Sequence, residues 1–212
     1  MRAVLPKPVR QRLRQAHRTF LLNRSVHRFV RLPQDADPPD SLWRDMVYGR
    51  SNEGWSAGNE YLAAVLRHAR TGAGPVLECG SGLSTLVLGL ALRHRARAVW
   101  SLEHDPFWAE RMSALLRSYG VETVDLYAAE LRSYGRYAWY RPPLDRMPSD
   151  FALVVCDGPP GGTVGGRYGL LPIMRSRLAA GCVILRRCGA TRRAENDRDV
   201  GEGVWHRLPR RG

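Results

Sequence analysis

Between residues 76 and 185 the chain alternates five short, almost wholly apolar runs with helix-length segments, and no other feature restricts the fold as much. The runs are Val76–Cys79, 98–103, Val124–Ala128, Phe151–Cys156 and 182–185. Residues 84–93, Pro106–Ser118 and 171–180 read as the helices between them, and an irregular aromatic stretch separates the third run from the fourth. A strand with one wet face alternates apolar and polar residues, whereas a strand covered on both faces is apolar throughout. Continuous runs joined by crossovers therefore predict an α/β fold, a Rossmann-like three-layer sandwich with a mostly parallel sheet.

Upstream, Val9, Leu13, Ala16 and Phe20 are spaced four, three and four apart, which predicts one apolar stripe on a helix ringed by arginines. The prolines at 33, 38 and 39 break that helix and mark a linker. Residues 59–70 read as a second amphipathic helix, with Tyr61, Leu62, Val65 and Leu66 on one face, ended by the Gly- and Pro-rich run 71–75. The chain thus divides into a basic helical extension and linker (1–40), an α/β domain (41–185) and an irregular basic tail (186–212).

Net charge sharpens that division. The chain carries 33 Lys and Arg against 20 Asp and Glu, a formal +13. Residues 1–32 hold nine basic groups and no acid, and residues 186–212 hold eight arginines and four acids. Residues 33–185 are left with 16 of each sign, so the domain shows no charge-level preference for a polyanion, and no specific nucleic-acid partner is expected. The basic residues 1–32 make a peripheral contact with an anionic membrane the one electrostatic partner to consider, the bland alternative being a solvated basic helix packed on the domain. Cys79, Cys156, Cys182 and Cys188 include no C-x-x-C pair, and three lie in or beside apolar runs, as expected of buried reduced thiols in a cytoplasmic protein. No apolar run approaches the roughly 20 residues of a membrane span.

The chemistry concentrates at Val76-Leu77-Glu78-Cys79-Gly80-Ser81-Gly82-Leu83-Ser84-Thr85, a strand, a G-x-G turn and a helix start with Ser84 as the expected N-cap. Thr85 stands where a dinucleotide fingerprint has its third glycine, and Glu78 stands two residues before Gly80. A carboxylate there repels a pyrophosphate and suits a ligand carrying positive charge. Glu103 follows Gly82 by 21 residues, the spacing at which an acid meets ribose hydroxyls in a strand–helix–strand unit. Asp105, immediately before Pro106, reads as a helix cap.

These segments, L-E-C-G-S-G-L-S-T, S-L-E-H-D-P and C-D-G-P-P-G, resemble a class I S-adenosylmethionine-dependent methyltransferase over about residues 51–185. The resemblance implies that Glu78, Gly80, Ser81 and Gly82 line the methionine part of S-adenosyl-L-methionine, that Glu103 holds its ribose, and that Ala129 and Glu130 lie near adenine. It further implies transfer of a methyl group to a small-molecule or glycan acceptor. The competing reading is a degenerate member that keeps the cofactor pocket, lacks turnover and acts as a binding or membrane-surface protein.

Asp157 ends the fourth run, at the edge of a sheet where ligands bind in open α/β folds, so it is placed to orient an acceptor hydroxyl or take its proton. Arg167, beyond four glycines between 161 and 166 that read as hinges of a lid, is placed to meet an anionic group on the acceptor. Tyr134, Tyr137, Trp139 and Tyr140 read as packing, and Trp55 as a core anchor or a cover for the cofactor. The family's acid after the fifth strand is absent at Arg186-Arg187-Cys188, so no metal is expected. The two strands that complete its sheet are also expected to be missing or degenerate, as in a truncated or frame-shifted end after about residue 185. That would leave the fifth strand with an open edge.

Overall fold

A computed structural model describes residues 6–50, 58–186 and 204–207. Contacts within the chain group it into two compact units, residues 1–63 and 64–212.

The first unit is built on α1 (Lys7–Arg31) and α2 (Asp40–Gly49). Helix α1 begins with Pro8 in its first turn, where a missing N–H costs nothing. Its buried face is Leu22, Val26 and Phe29, which meets Leu42, Trp43 and Met46 of α2. The Phe29 and Trp43 rings stand 6.0 Å apart. Arg24 donates to Asp45 at 2.8 Å, and the Arg18 guanidinium lies 4.7 Å from the centre of the Tyr48 ring. The helices approach so closely that a Cβ on Gly49 would stand 2.8 Å from the backbone nitrogen of Leu22. The expected helix is present, and its stripe of Val9, Leu13, Ala16 and Phe20 lies exposed. Helix α2 spans about 15 Å against about 38 Å for α1 at ~1.5 Å per residue, so it covers only the second half of α1, and there it packs on the opposite face, which leaves Phe20 bare.

Helix α3 (Asn59–Thr71) leads into the second unit, burying Leu62, Val65, Leu66 and Ala69. Arg95 and Arg97 donate to carbonyls of its last turn, Arg70 and Ala69, and Arg97 also to that of Gly74, which satisfies acceptors that a helix end leaves open. There follow β1 (Val76–Cys79), α4 (Leu83–Leu92), β2 (Val99–Glu103), α5 (Pro106–Ser118), β3 (Val124–Ala128), a hairpin of β4 (Leu131–Ser133) and β5 (Ala138–Tyr140), β6 (Phe151–Cys156), α6 (Leu170–Met174), a 3-10 turn, β7 (Leu178–Arg186) and β8 (Val204–Arg207).

The main sheet has the order β3-β2-β1-β6-β7-β8. Its first five strands are parallel, as expected, and β8 is antiparallel to β7. The expected open edge on the fifth strand is thereby corrected: Val183–Arg186 pair residue by residue with β8. The strand order reverses between β1 and β6, the point at which an open α/β sheet parts to leave a crevice. Helix α4 is apolar beyond Ser84 and Thr85 of its first turn and almost wholly buried. The aromatic stretch, read as irregular, is an antiparallel hairpin turning at Gly135, whose φ of +84° suits glycine. Trp139 and Tyr140 on it are fully buried, in keeping with a packing role. The helix expected over 171–180 is cut to five residues. Leu178 is instead drawn into the ladder opposite Phe151, and a bulge at Gly181, with φ +76°, takes up the extra residues.

Candidate functional site

Two tight turns sit side by side at the carboxyl ends of β1 and β6. The carbonyl of Cys79 accepts from the N–H groups of both Asp157 (3.1 Å) and Gly158 (2.6 Å), which ties the second turn to the first. Gly80 adopts φ +90°, and a Cβ on it would stand 2.9 Å from the nitrogen of Gly158. A Cβ on Gly158 would strike the Tyr140 hydroxyl. Neither position accepts a larger residue without separating the turns.

Glu78 lies beneath the first turn, fully buried. Its Oε1 accepts from the Ser84 hydroxyl at 2.6 Å, and its Oε2 from those of Thr85 and Ser101 at 2.6 Å each. Ser101 reaches it because the two residues are opposite each other in the β1–β2 register. Burial pushes the Glu78 carboxyl up from 4.5 to about 7; the three hydroxyls oppose the rise and the Asp157 charge adds to it. Ser84 is therefore not the N-cap expected of it. Gly82 occupies that position, and the Ser84 hydroxyl is turned to the carboxylate. Thr85 explains the missing third glycine. Its hydroxyl accepts from the Gly82 N–H at 2.7 Å while donating to Glu78, so one side chain joins the turn to the acid below it.

Glu103, at the end of β2, is 4% exposed. Its Oε2 accepts from the N–H (2.9 Å) and the hydroxyl (2.8 Å) of Ser81, and its Oε1 from the Asp105 N–H at 3.0 Å. Trp108 adds a second hold on the turn, donating from its indole to the Ser81 carbonyl at 2.9 Å. Asp105 caps α5 as expected, its Oδ1 accepting from the N–H groups of Phe107 and Trp108. Ala129 is buried and donates through its backbone to the Glu103 carbonyl at 2.7 Å. The Glu130 side chain is 72% exposed, 3.4 Å from Arg141. The structure thus brings Glu78, Gly80, Ser81, Gly82, Glu103 and the Ala129 backbone to one end of the sheet, and turns the Glu130 carboxylate to solvent.

Asp157 and Arg167, singled out separately in the sequence, are neighbours. Arg167 donates to the Asp157 carbonyl from Nε at 3.0 Å and also from a terminal nitrogen, which lies 3.4 Å from the Asp157 carboxylate. The glycine-rich segment before Arg167 is tied to β5, where the Val164 carbonyl accepts from the Ala138 N–H at 2.8 Å. Below the second turn the Tyr140 hydroxyl is buried and has no hydrogen-bond partner among the described residues.

Sequence reasoning left out Thr85, Ser101, Trp108 and Tyr140. Only Thr85 left a signal, as the departure from the third glycine; the others reach the site through register and packing. Trp55 and Cys188 lie outside the described residues. Cys79, Cys156 and Cys182 are free, buried thiols.

The sequence matches no family model and no curated protein. Among solved structures, the precorrin-6y C5,15-methyltransferase of Geobacter metallireducens GS-15 is 18% identical with a TM-score of 0.46. The match covers 62% of this chain and 63% of that one, so this chain spans a little under two thirds of its length. A methyltransferase of Podospora anserina bound to SAH is 18% identical over 88% of this chain and 73% of that one, with a TM-score of 0.46. An RNA methyltransferase of Salinibacter ruber in complex with S-adenosyl-L-homocysteine is 16% identical over 73% of this chain and 94% of that one, with a TM-score of 0.48.

Proposed function

We propose that the α/β unit is the catalytic domain of an S-adenosylmethionine-dependent methyltransferase whose acceptor is an oxygen of a small molecule or glycan. The observation that carries this reading is the acidity of the crevice. Glu103 and Asp157 stand at or just beyond the carboxyl ends of β2 and β6, the strands on either side of β1, and flank a glycine turn that the sealed Glu78 braces from below. A nicotinamide dinucleotide brings a pyrophosphate to that point and meets like charge. S-adenosylmethionine brings a ribose diol, an ammonium and a sulfonium, and meets acceptors.

In this reading Gly80, Ser81 and Gly82, braced by Glu78, hold the methionine part, Glu103 the ribose, and Ala129 with Glu130 the adenine side. The bound cofactor supplies a methyl group on a cationic sulphur. Asp157 orients the acceptor hydroxyl or takes its proton, and Arg167, by gripping the Asp157 carbonyl, positions that carboxylate. Among the described residues no three His, Cys, Asp or Glu side chains are grouped so as to hold a metal ion, and this reading uses none, so chelators should leave the activity unchanged.

The test is thermal denaturation of the intact protein with S-adenosylmethionine, S-adenosylhomocysteine or NAD. A hundredfold excess over Kd stabilises by about 2.7 kcal/mol, and raises Tm by about 5–10 °C. Both adenosyl ligands are expected to produce such a shift and NAD none. A shift with NAD alone overturns the assignment.

A further inference from the structure

Helix α1 carries two apolar stripes on opposite sides, and α2 covers one. At about 100° per residue, the Val9, Leu13, Ala16 and Phe20 stripe is centred about 160° from the Leu22, Ser25, Val26 and Phe29 stripe. The first stripe is bare: Val9 is 40%, Leu13 56% and Phe20 59% exposed. Along its 25 residues the helix has eight basic side chains and no acidic one. Arg10 and Arg12 flank the bare stripe within about 90° on either side, and Arg31 continues its face toward the C-terminal end.

We propose that the first half of α1 docks flat on an anionic lipid bilayer, with Val9, Leu13 and Phe20 among the acyl chains and the flanking arginines on headgroup phosphates. Charge complementarity selects an anionic partner, and the stripe selects among anionic partners. A nucleic-acid backbone pairs with the arginines and leaves three large apolar side chains in water. A bilayer takes both: its phosphates meet the guanidinium groups, whose aliphatic stems reach up from the apolar side, and its hydrocarbon begins about 5–10 Å below. Lys7, Arg14 and Arg18, on the far side of the helix, add longer-range attraction to the same surface. No helix of the described residues is long and apolar enough to cross a membrane. The attachment is independent of what the α/β unit catalyses.

The experiment is co-sedimentation of the intact protein with vesicles of phosphatidylcholine alone or with roughly 30% phosphatidylserine, at about 0.1 M and about 0.5 M salt. A mixed-sequence RNA is titrated in parallel. Binding is expected to the phosphatidylserine vesicles at low salt and to fall at high salt. The double variant Leu13→Ser/Phe20→Ser changes only exposed side chains, so circular dichroism should be unchanged while vesicle affinity drops about tenfold or more. Arg10→Gln/Arg12→Gln should weaken it as well. Absence of vesicle binding overturns the proposal. So does vesicle binding indifferent to Leu13→Ser/Phe20→Ser, and so does RNA binding that is tighter than vesicle binding and insensitive to that variant.

Discussion

The turns after β1 and β6 lie against each other, yet their acids are exposed to solvent to very different degrees. Around the first, Glu78 is sealed from solvent with three hydroxyls on its two oxygens, and Glu103 keeps 5% of its side chain exposed with three donors on its own. Around the second, Asp157 keeps 23% of its side chain exposed, and the buried Tyr140 hydroxyl beneath it has no partner among the described residues. A buried carboxylate is tolerated only when fully hydrogen-bonded, so the first turn's acids shape and stiffen the loop. Asp157, gripped by Arg167 yet more open to solvent than either acid of the first turn, makes the second turn the better placed of the two to meet a reacting group, with the unpartnered Tyr140 hydroxyl beneath it.

The strongest test of that contrast is Asp157→Asn. If chemistry resides at the second turn, transfer of labelled methyl from S-adenosylmethionine falls about a hundredfold or more, the usual scale for a positioned general base. The cofactor-induced rise in Tm stays near its wild-type size. Wild-type transfer by the variant places the base elsewhere.

Next in size is the acidity of Glu78. Its folded-state carboxyl titrates near 7 against an ordinary 4.5, so between those pH values the folded chain binds a proton that the unfolded chain has lost. The stability this group contributes is present in full below pH ~4.5, declines as pH rises, and is gone above ~7, a difference on the order of 3 kcal/mol. Glu78→Gln carries no ionisation, so the difference in Tm between variant and wild type should move in the variant's favour by about 5–10 °C from pH 5 to pH 8. A difference independent of pH would show that Glu78 ionises freely and that the first turn is not sealed.

The parts of the fold legible in the sequence are those whose signal is local. β1, β3, β6 and α5 have the boundaries that their apolar runs and caps predict, because a continuous apolar run between turn residues has few other ways to be buried. Helix α2 was missed, since Leu42, Trp43 and Met46 gain meaning only against Leu22 and Phe29. The buried face of α1 is hidden from the sequence for the same reason: both stripes have helical spacing, and only the face on which α2 packs decides between them. In the site, Glu78, Glu103 and Asp157 stood out as acids at strand ends, and their spacing brought them together. What the spacing did not reveal is how far each was already engaged, because Ser101 reaches Glu78 through strand register, and Ser81 reaches Glu103 through the course of the turn.

The Ser81–Glu103 contact gives a finer probe of the first turn. A ribose diol that takes both oxygens of Glu103 competes with the Ser81 hydroxyl. Ser81→Ala removes one donor and leaves the backbone N–H in place, so S-adenosylhomocysteine should bind severalfold more tightly by calorimetry, in line with about 1 kcal/mol for one neutral hydrogen bond. Glu103→Gln should weaken the same ligand about tenfold or more, since it exchanges a charged acceptor for a neutral one. Weakening by both would mean that the Ser81 hydroxyl itself contacts the ligand.

The smallest expected effect addresses the second turn from below. A buried hydroxyl without a partner costs about 1–3 kcal/mol relative to a satisfied one, and deleting it with shape preserved relieves that cost. Tyr140→Phe should therefore leave the ligand-free protein as stable as wild type or slightly more so, with Tm unchanged or raised by a few degrees. The ring still packs against the core. If the hydroxyl is held open for a ligand at the second turn, the same variant should lose part of the Tm rise that S-adenosylmethionine or an acceptor produces, reversing the order of wild type and variant once ligand is present. A variant less stable than wild type without ligand would show that the hydroxyl is already engaged within the fold, and the contrast between the two turns would then rest on Asp157 alone.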